Sequence, residues 1–352
     1  MSQFVDRRTL IKRGLVLAAA GSAPVRIAAA ASALSFDEYR SRDALGLAEL
    51  VRSGEVSAPE LLEIAIARSQ AVNPVINCLV ERLYDYARAA VARGLPSGPF
   101  TGVPFLLKDL GMHLAGTVTT NGSRFYRDAV ADYTNTVVTR YQQAGLVIFG
   151  KTASPEFGGT GTTESILFGD TRNPWDMQRS AGGSSGGAAA AVAAGILPLA
   201  NATDGGGSIR IPASCCGLFG MKPSRGRVPS GPKNLSSVMS VIHAVSRSVR
   251  DSAALLDATR GPEPGQTTIA PRPTGSYLDA VGATPKGLRI GLLTTPITHS
   301  PVDPECSRAA ADAAKLCESL GHHVQEVQLP IDPREFFAST RIIMGTGTVV
   351  RV

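Results

Sequence analysis

Two glycine-rich stretches carry serines at positions where backbone N–H groups can converge. The first is GGSSGG at 182–187, which a run of alanines follows at once, and the second is DGGGS at 204–208. Glycine lets the backbone adopt positive φ or lie directly against another group. Three glycines in a row allow several N–H groups to point at one place, which is the geometry that stabilises a developing oxyanion. The second stretch therefore supplies a candidate nucleophile and oxyanion hole: Ser208 with Gly205, Gly206 and Gly207.

Charged residues flank the second stretch and argue against a simple surface turn. A tight turn would explain the glycines, but not a serine with Asp204 before the glycines and Arg210 shortly after them. We expect these two charges to pair across the loop and to hold its shape. The first stretch is not typical of a linker, because it leads directly into AAAAVAAG, a sequence that favours a close-packed helix.

A lysine in apolar surroundings is the candidate base for such a serine. Lys108 lies in the segment GVPFLLKD at 102–109, which predicts a short buried strand. Apolar neighbours disfavour the ammonium form, and a neutral lysine can accept a proton. The five histidines lie in no motif, although Ser184 satisfies the G-x-S-x-G pattern of an α/β-hydrolase elbow. The polar sequence before that pattern does not predict the strand that an elbow requires. An esterase that uses Ser184 and a histidine remains the alternative.

Taken together, FLLKD, GGSSGG and TDGGGSIRIPAS resemble the amidase signature family of serine hydrolases, and the resemblance runs from about residue 35 to the C-terminus. It implies an α/β fold with a mixed central β-sheet that helices cover on both faces. It also implies a Ser–cis-Ser–Lys triad, with Ser208 as nucleophile, Ser184 as the serine that follows a cis peptide bond, and Lys108 as base. The residues that would support the triad are Ser185, Asp204 and Arg210.

The activity that the resemblance implies is hydrolysis of a small carboxamide, or of a linear or cyclic amide, through a serine acyl-enzyme. No cofactor and no metal are expected. The triple glycine with SIRIPAS is most similar to bacterial amidases of the 6-aminohexanoate-cyclic-dimer hydrolase type. Members of the family continue well past residue 352, so the resemblance predicts that the domain at 34–352 lacks its C-terminal part. An inactive chain with the amidase fold is therefore a second alternative.

The N-terminal residues predict an export signal at 1–33. DRRTLIKRG at 6–14 places two arginines before a short apolar stretch, and ASA at 31–33 offers small residues at a cleavage position. This pattern resembles a twin-arginine signal, which directs folded proteins across the membrane. The mature chain would then begin near Leu34 and be periplasmic or secreted. The apolar stretch is too short for a stable membrane anchor.

Composition limits the partners and the class of protein. Of the 352 residues, 43% are hydrophobic, which is ample for a buried core, and the net charge of +6 is modest. No basic stripe interleaved with aromatic residues occurs, so no nucleic-acid partner is expected. The expected partners are a small-molecule amide and a second copy in a homodimer. The five cysteines have no metal-ligand spacing, and we expect them to be small buried hydrophobic residues.

Apolar segments alternate with amphipathic ones, which predicts an α/β protein. Ser57 with Glu60 is a capping-box signature, and Asn73–Pro74 is expected to end the helix that follows it. A helix and a strand are predicted for NTVVTRYQQAG and LVIFGKT. Towards the C-terminus we expect a buried strand at 287–294, a helix from Asp303 to Leu320 and the strand HVQEVQL. The Pro/Gly-rich region at 261–286 predicts a long surface excursion.

Overall fold

The computed structural model describes residues 34–233 and 239–349, so the predicted export signal lies outside the described residues. Helices and strands alternate along these ranges, as the sequence predicts for an α/β protein. The α-helices are α1 Phe36–Ser41, α2 Ala44–Ser53, α3 Ala58–Ile76, α4 Tyr84–Ala92, α5 Thr136–Gln143, α6 Gly186–Ala193, α7 Arg210–Cys215, α8 Val249–Thr259, α9 Tyr277–Val281, α10 Pro304–Ser319 and α11 Pro333–Val349. The strands are β1 Leu79–Arg82, β2 Pro104–Lys108, β3 Val147–Thr152, β4 Glu164–Ser165, β5 Gly169–Asp170, β6 Arg172–Asn173, β7 Asp176–Ser180, β8 Leu199–Asp204, β9 Phe219–Gly220, β10 Val241–Ser246, β11 Arg289–Leu292 and β12 His323–Glu326.

Helix α3 begins as predicted but runs past its expected end. Ser57 caps it by accepting the N–H of Glu60, while Asn77 ends it in the left-handed conformation. The prediction of an end at Asn73–Pro74 is wrong, because Pro74 costs the helix interior one hydrogen bond but does not stop it. The Asn73 side chain accepts the N–H groups of Cys78 and the next residue, and these bonds tie the end of the helix to β1.

The central strands form two three-stranded sheets that meet at β2 and β8. In the first sheet, β3 lies between β1 and β2, antiparallel to β1 and parallel to β2. In the second, β10 lies between β8 and β9 and is antiparallel to both. Strands β2 and β8 pack side by side, where the N–H of Lys108 donates to the side chain of Asn201 at 3.0 Å. The mixed α/β architecture is confirmed, and a side-chain amide joins its two halves.

Helix α6 follows the first glycine-rich stretch and is buried from Gly186 to Val192. It packs against β2, β3, β8 and β10, so its small residues let it lie close to both sheets. At Gly187, an added Cβ would lie only 2.4 Å from the backbone nitrogen of Ala153. The stretch is therefore a packed part of the core and not a linker. Helices α3 and α8 cover other parts of the sheets, against β2 and β3 and against β10 respectively.

The C-terminal elements are present but more exposed than predicted. Strand β11 was expected to be buried, yet its residues alternate between exposed and half-buried. It pairs in parallel with β12, and in the described residues α10 packs against this two-stranded sheet, which leaves much of the pair uncovered. The predicted helix starting after Asp303 is confirmed, and the 261–286 region is mostly exposed, as expected.

The cysteines only partly match the expectation of buried hydrophobic residues. All five are free thiols; Cys78 and Cys216 are buried, whereas Cys215 and Cys306 are exposed and Cys317 is half-buried. The exposed ones lie on helices α7 and α10, each of which presents one face to solvent. In the described ranges, no helix is both long enough and apolar enough to span a membrane.

Asn201 provides a test of how the two sheets are joined. Its side chain accepts the N–H of Lys108 and donates to the hydroxyl of Tyr141 at 3.0 Å. Because Asn201→Ala leaves these buried groups without a partner, we expect it to lower the free energy of unfolding by about 1–3 kcal/mol. Urea unfolding followed by circular dichroism measures this. The control Gln178→Ala removes an exposed amide and should change the value by less than about 0.5 kcal/mol; equal small effects of both variants would contradict the bridge.

Candidate active site

Lys108 ends β2 and its side chain is completely buried. Its Nζ donates to Ser184 Oγ at 2.7 Å and to Thr203 Oγ1 at 3.0 Å. Burial lowers the pKa of Lys108 from its ordinary value to about 7, although the Asp204 carboxylate acts in the opposite direction. A substantial fraction of the amine is therefore neutral at neutral pH and can act as a proton acceptor.

Ser184 follows a cis peptide bond from Gly183 and is almost fully buried. The backbone of a neighbouring loop lies directly against this turn, so that a Cβ on Gly183 would lie 2.2 Å from the carbonyl oxygen of Thr162. Thr163 Oγ1 accepts the N–H of Gly186 at 3.0 Å. These contacts fix the turn, and the turn aims Ser184 Oγ at Lys108.

Hydrogen bonds tie the two serine-bearing stretches together. The N–H of Ser185 donates to the backbone carbonyl of Ser208 at 3.3 Å. Ser185 Oγ also accepts the N–H of Thr203 at 3.3 Å. Ser208 is half-buried, directly after the glycine loop. The structure thus places the two stretches, which are far apart in sequence, side by side, with Ser185 hydrogen-bonded to the backbone of Ser208.

Asp204 organises the glycine loop from a fully buried position. Arg210 donates to both of its oxygens, from Nε at 2.9 Å and from Nη2 at 3.1 Å, so the structure contains the ion pair expected from the sequence. The N–H groups of Gly207 and Ile209 donate to the same carboxylate at 2.6 and 3.3 Å. Burial alone would raise the pKa of Asp204, but these hydrogen bonds outweigh it and hold the pKa below its ordinary value. The carboxylate is therefore ionised at neutral pH.

The N–H groups of the glycine loop differ in what they can bind. That of Gly207 is engaged by Asp204. Those of Gly205, Gly206 and Ser208 make no hydrogen bond to another described residue. Gly206 is also exposed, and a Cβ there would meet no atom within 4 Å. Gly205, Gly206 and Ser208 thus have N–H groups that are available to a ligand in the present conformation.

A second buried lysine, Lys151, lies on the neighbouring strand β3. Its Nζ donates to the carbonyl of Val118 at 2.5 Å and to Thr119 Oγ1 at 2.7 Å. Burial lowers the pKa of Lys151 to about 8, although the charges of Asp109 and Glu81 act in the opposite direction. Strand pairing places Lys151 opposite residue 107 and not opposite 108, and successive side chains of a strand point to opposite faces. Lys151 therefore faces away from the serine cluster.

The histidines do not provide a base for Ser184. His243 Nε2 shares a hydrogen bond with Ser252 Oγ at 2.7 Å, and His322 Nδ1 accepts the N–H of Leu288 at 3.4 Å. Of the five histidines, all within the described ranges, none is hydrogen-bonded to Ser184. No group of three or more His, Cys, Asp or Glu side chains in the described part of the chain is placed to hold a metal ion.

Thr203 and Asn201 contact Lys108, although no sequence motif indicated them as site residues. Both lie on β8 just before the glycine loop, and their spacing of two residues puts them on one face of the strand. That face is turned towards β2, where Thr203 binds the amine and Asn201 the backbone of Lys108. The sequence feature that could have indicated them is their position: Thr203 and Asn201 precede the triple glycine by two and four residues.

The fold and this cluster can be compared with known proteins. The model of the family described as Amidase matches residues 60–347. The chain belongs to the amidase signature family. Over 292 residues it is 46% identical to the 6-aminohexanoate-cyclic-dimer hydrolase of Paenarthrobacter ureafaciens, which covers 81% of this chain and 59% of the relative. It is 38% identical to a lipoamidase of Enterococcus faecalis, over 86% of this chain and 40% of that protein.

Solved structures of amidase signature enzymes have the same fold. A 6-aminohexanoate cyclic dimer hydrolase complexed with substrate superposes with a TM-score of 0.78 at 44% identity, over 82% of this chain and 61% of that one. A bacterial aryl acylamidase superposes with a TM-score of 0.82 at 33% identity, over 88% and 66%. The chain thus spans about three fifths of the length of the 6-aminohexanoate-cyclic-dimer hydrolases that it matches.

The state of Lys108 can be measured without assuming any activity. We expect the ammonium to predominate below about pH 7 and the neutral amine above it, because burial disfavours the charge. In protein labelled with ¹³C at the lysine Cε, one NMR resonance should titrate with a midpoint near 7 and be missing from Lys108→Met. The control Lys151→Met should remove a different resonance. If every lysine resonance titrates above pH 9, the buried neutral amine is contradicted.

Proposed function

We propose that this amidase-family chain hydrolyses amides through a serine acyl-enzyme, with Ser208 as nucleophile, Ser184 as proton relay and Lys108 as base. The observation that carries the proposal is the buried 2.7 Å hydrogen bond between Lys108 Nζ and Ser184 Oγ. This bond joins the amine of Lys108, which is partly neutral at neutral pH, to Ser184. The next residue, Ser185, donates its backbone N–H to the carbonyl of Ser208. This arrangement places a base within hydrogen-bond reach of Ser184, and the proposed relay adds the transfer from the Ser208 hydroxyl to Ser184.

The proposed reaction moves one proton along this cluster. Neutral Lys108 accepts the hydroxyl proton of Ser184, and Ser184 takes the proton of Ser208 as Ser208 Oγ attacks the amide carbonyl. When the tetrahedral intermediate collapses, the proton returns through Ser184 to the leaving amine. Water then repeats the cycle on the acyl-enzyme and releases the acid. Lys108 is charged only between these steps, which a pKa near 7 permits without a large cost in either direction.

The glycine loop is the proposed oxyanion hole. The N–H groups of Gly205, Gly206 and Ser208 donate to no other described residue, so these three are the donors proposed for the oxyanion. The N–H of Gly207 donates to Asp204, so it could bind the oxyanion only if it gave up that hydrogen bond. The paired charges of Asp204 and Arg210 hold the loop in place, so that the donors need little rearrangement during the reaction.

The proposed substrate is a linear or cyclic amide with an aliphatic chain. Apolar side chains lie beside both serines. Leu110 and Ser184 both lie against Gly158. A Cβ added to Gly158 would be 2.6 Å from Leu110 Cδ2 and 3.0 Å from Ser184 Oγ. Ile211 lies against Gly207, with Cδ1 2.7 Å from the position of a Cβ. The relative that is 46% identical is named for a cyclic dimer of 6-aminohexanoate, whose chain of methylene groups suits such surroundings.

Substitutions in the triad test the assignment. On the cyclic and linear dimers of 6-aminohexanoate, we expect Ser208→Ala to lower kcat/KM by at least about 10³-fold, since the acyl-enzyme is lost. Lys108→Ala should lower it by about 10²- to 10⁴-fold, since the base is lost. Ser224→Ala, which removes an exposed hydroxyl, is the control and should leave kcat/KM unchanged. Losses below about tenfold for both triad variants would refute the assignment.

Labelling with a fluorophosphonate and peptide mapping separates the alternatives. The proposal predicts modification of Ser208. Modification of Ser184 instead would support an elbow-type esterase, and no modification would support an inactive chain with the amidase fold.

A further inference from the structure

Two buried charges lie on the face of the strands that the proposed proton relay does not use. Asp109 follows β2 directly and is 1% exposed, and Lys151 on β3 is completely buried. Strand pairing places Lys151 opposite residue 107, so it shares a face with Asp109, while Lys108 lies on the other face. Burial raises the pKa of Asp109 to about 6 and lowers that of Lys151 to about 8, while each charge favours the ionised form of the other. Both side chains are therefore mostly charged at neutral pH.

Both side chains bind the same loop. Lys151 Nζ donates to the carbonyl of Val118 and to Thr119 Oγ1. Asp109 accepts the N–H of Thr120 at 2.8 Å and also its hydroxyl. Hydrogen bonds to charged groups are stronger than those between neutral ones. The ends of two neighbouring strands thus hold three successive residues of this loop.

The loop in turn fixes the position of Leu110. On one side of Leu110, the Asp109 carboxylate ties the chain to Thr120. On the other side, the N–H of Gly111 donates to Asn121 Oδ1 at 2.9 Å. The half-buried Leu110 therefore lies between two contacts with the same loop, and these contacts restrict where its side chain can point.

Asn121 also holds the residues that line Ser184. Its carbonyl accepts the N–H of Phe157 at 2.8 Å, and Gly158 follows Phe157 directly. Gly158 lies against both Leu110 and Ser184. Leu110 and Gly158 thus form an apolar wall beside Ser184, and both parts of this wall are attached to the loop that the two buried charges bind.

We propose that Asp109 and Lys151 are positioning residues that hold this apolar wall and thereby set the preference of the site for an amide with an aliphatic chain. A wall that is already fixed binds such a chain more tightly, because less freedom is lost on binding. The two charges act through the loop at 118–121 and take no part in the proton relay. The inference rests on the proposed function for its class of substrate.

Binding to a variant that lacks the nucleophile tests the inference without any turnover. In a Ser208→Ala background, NMR titration gives the dissociation constants of acetamide and hexanamide, which differ only in chain length. We expect this background to bind hexanamide at least about tenfold more tightly than acetamide. Lys151→Met should lower that preference at least about fivefold, by weakening the binding of hexanamide. The control Lys315→Met removes an exposed lysine on α10 and should leave the preference unchanged.

A second variant separates the wall from an effect on folding. Lys151→Met leaves the Asp109 carboxylate buried without its opposite charge, whereas Lys151→Met/Asp109→Asn removes both charges and decides the matter if the single variant does not fold. It should show the same loss of preference. In both variants the Lys108 resonance should still titrate with a midpoint near 7, because the relay lies on the other face; a general loss of native structure would move that midpoint.

The outcomes for this inference and for the proposed hydrolysis differ. An unchanged preference in the folded variants, or equal affinities of the Ser208→Ala background for the two amides, would overturn the inference. The expected loss of preference in a protein that hydrolyses no amide would support the inference and refute the proposed hydrolysis.

Discussion

One hydrogen bond, from Lys108 Nζ to Ser184 Oγ, is the interaction on which the site depends. An ammonium without water around it is costly, so burial moves the pKa of this lysine down to about 7. The same burial leaves the amine with two hydroxyl partners, Ser184 and Thr203. Because its neighbours are fixed by the sheets and by the turn at Gly183, the amine has little freedom to point elsewhere.

The second constraint is the charge on Asp204. This carboxylate is needed to hold the glycine loop, yet it raises the pKa of Lys108 and so opposes the neutral amine. Arg210 offsets that charge through a bidentate pair, half-exposed on the outer side of the loop. Loop geometry and lysine protonation are thus coupled through one buried anion, which explains why the two charges flank the glycine loop in the sequence.

The sequence was sufficient to predict the parts of the fold and site that local pattern determines. An apolar run ending in lysine indicated β2, and small residues after GGSSGG indicated the buried helix α6. Sequence could not show Asn201 and Thr203 as partners of Lys108, because that contact arises from the side-by-side packing of β2 and β8. It also could not show that Gly207 donates to Asp204, since glycines in a row look alike until the loop is folded.

Other differences have equally physical causes. Pro74 was expected to end a helix, but the Asn73 side chain supplies bonds that hold the helix end to β1. Strand β11 has the apolar pattern of a buried strand, yet burial depends on what covers a sheet and not on the strand alone. In both places, contacts beyond the local pattern decided the outcome.

The pH dependence of kcat/KM for an amide substrate tests the central claim most directly, because it reports the protonation of the free enzyme. If neutral Lys108 is the base, kcat/KM is constant above about pH 7 and falls tenfold per pH unit below it, as the amine becomes charged. The same midpoint should hold for a cyclic and a linear amide. A profile that stays flat down to pH 5, or one that falls below pH 9 as for an ordinary lysine, would contradict the account.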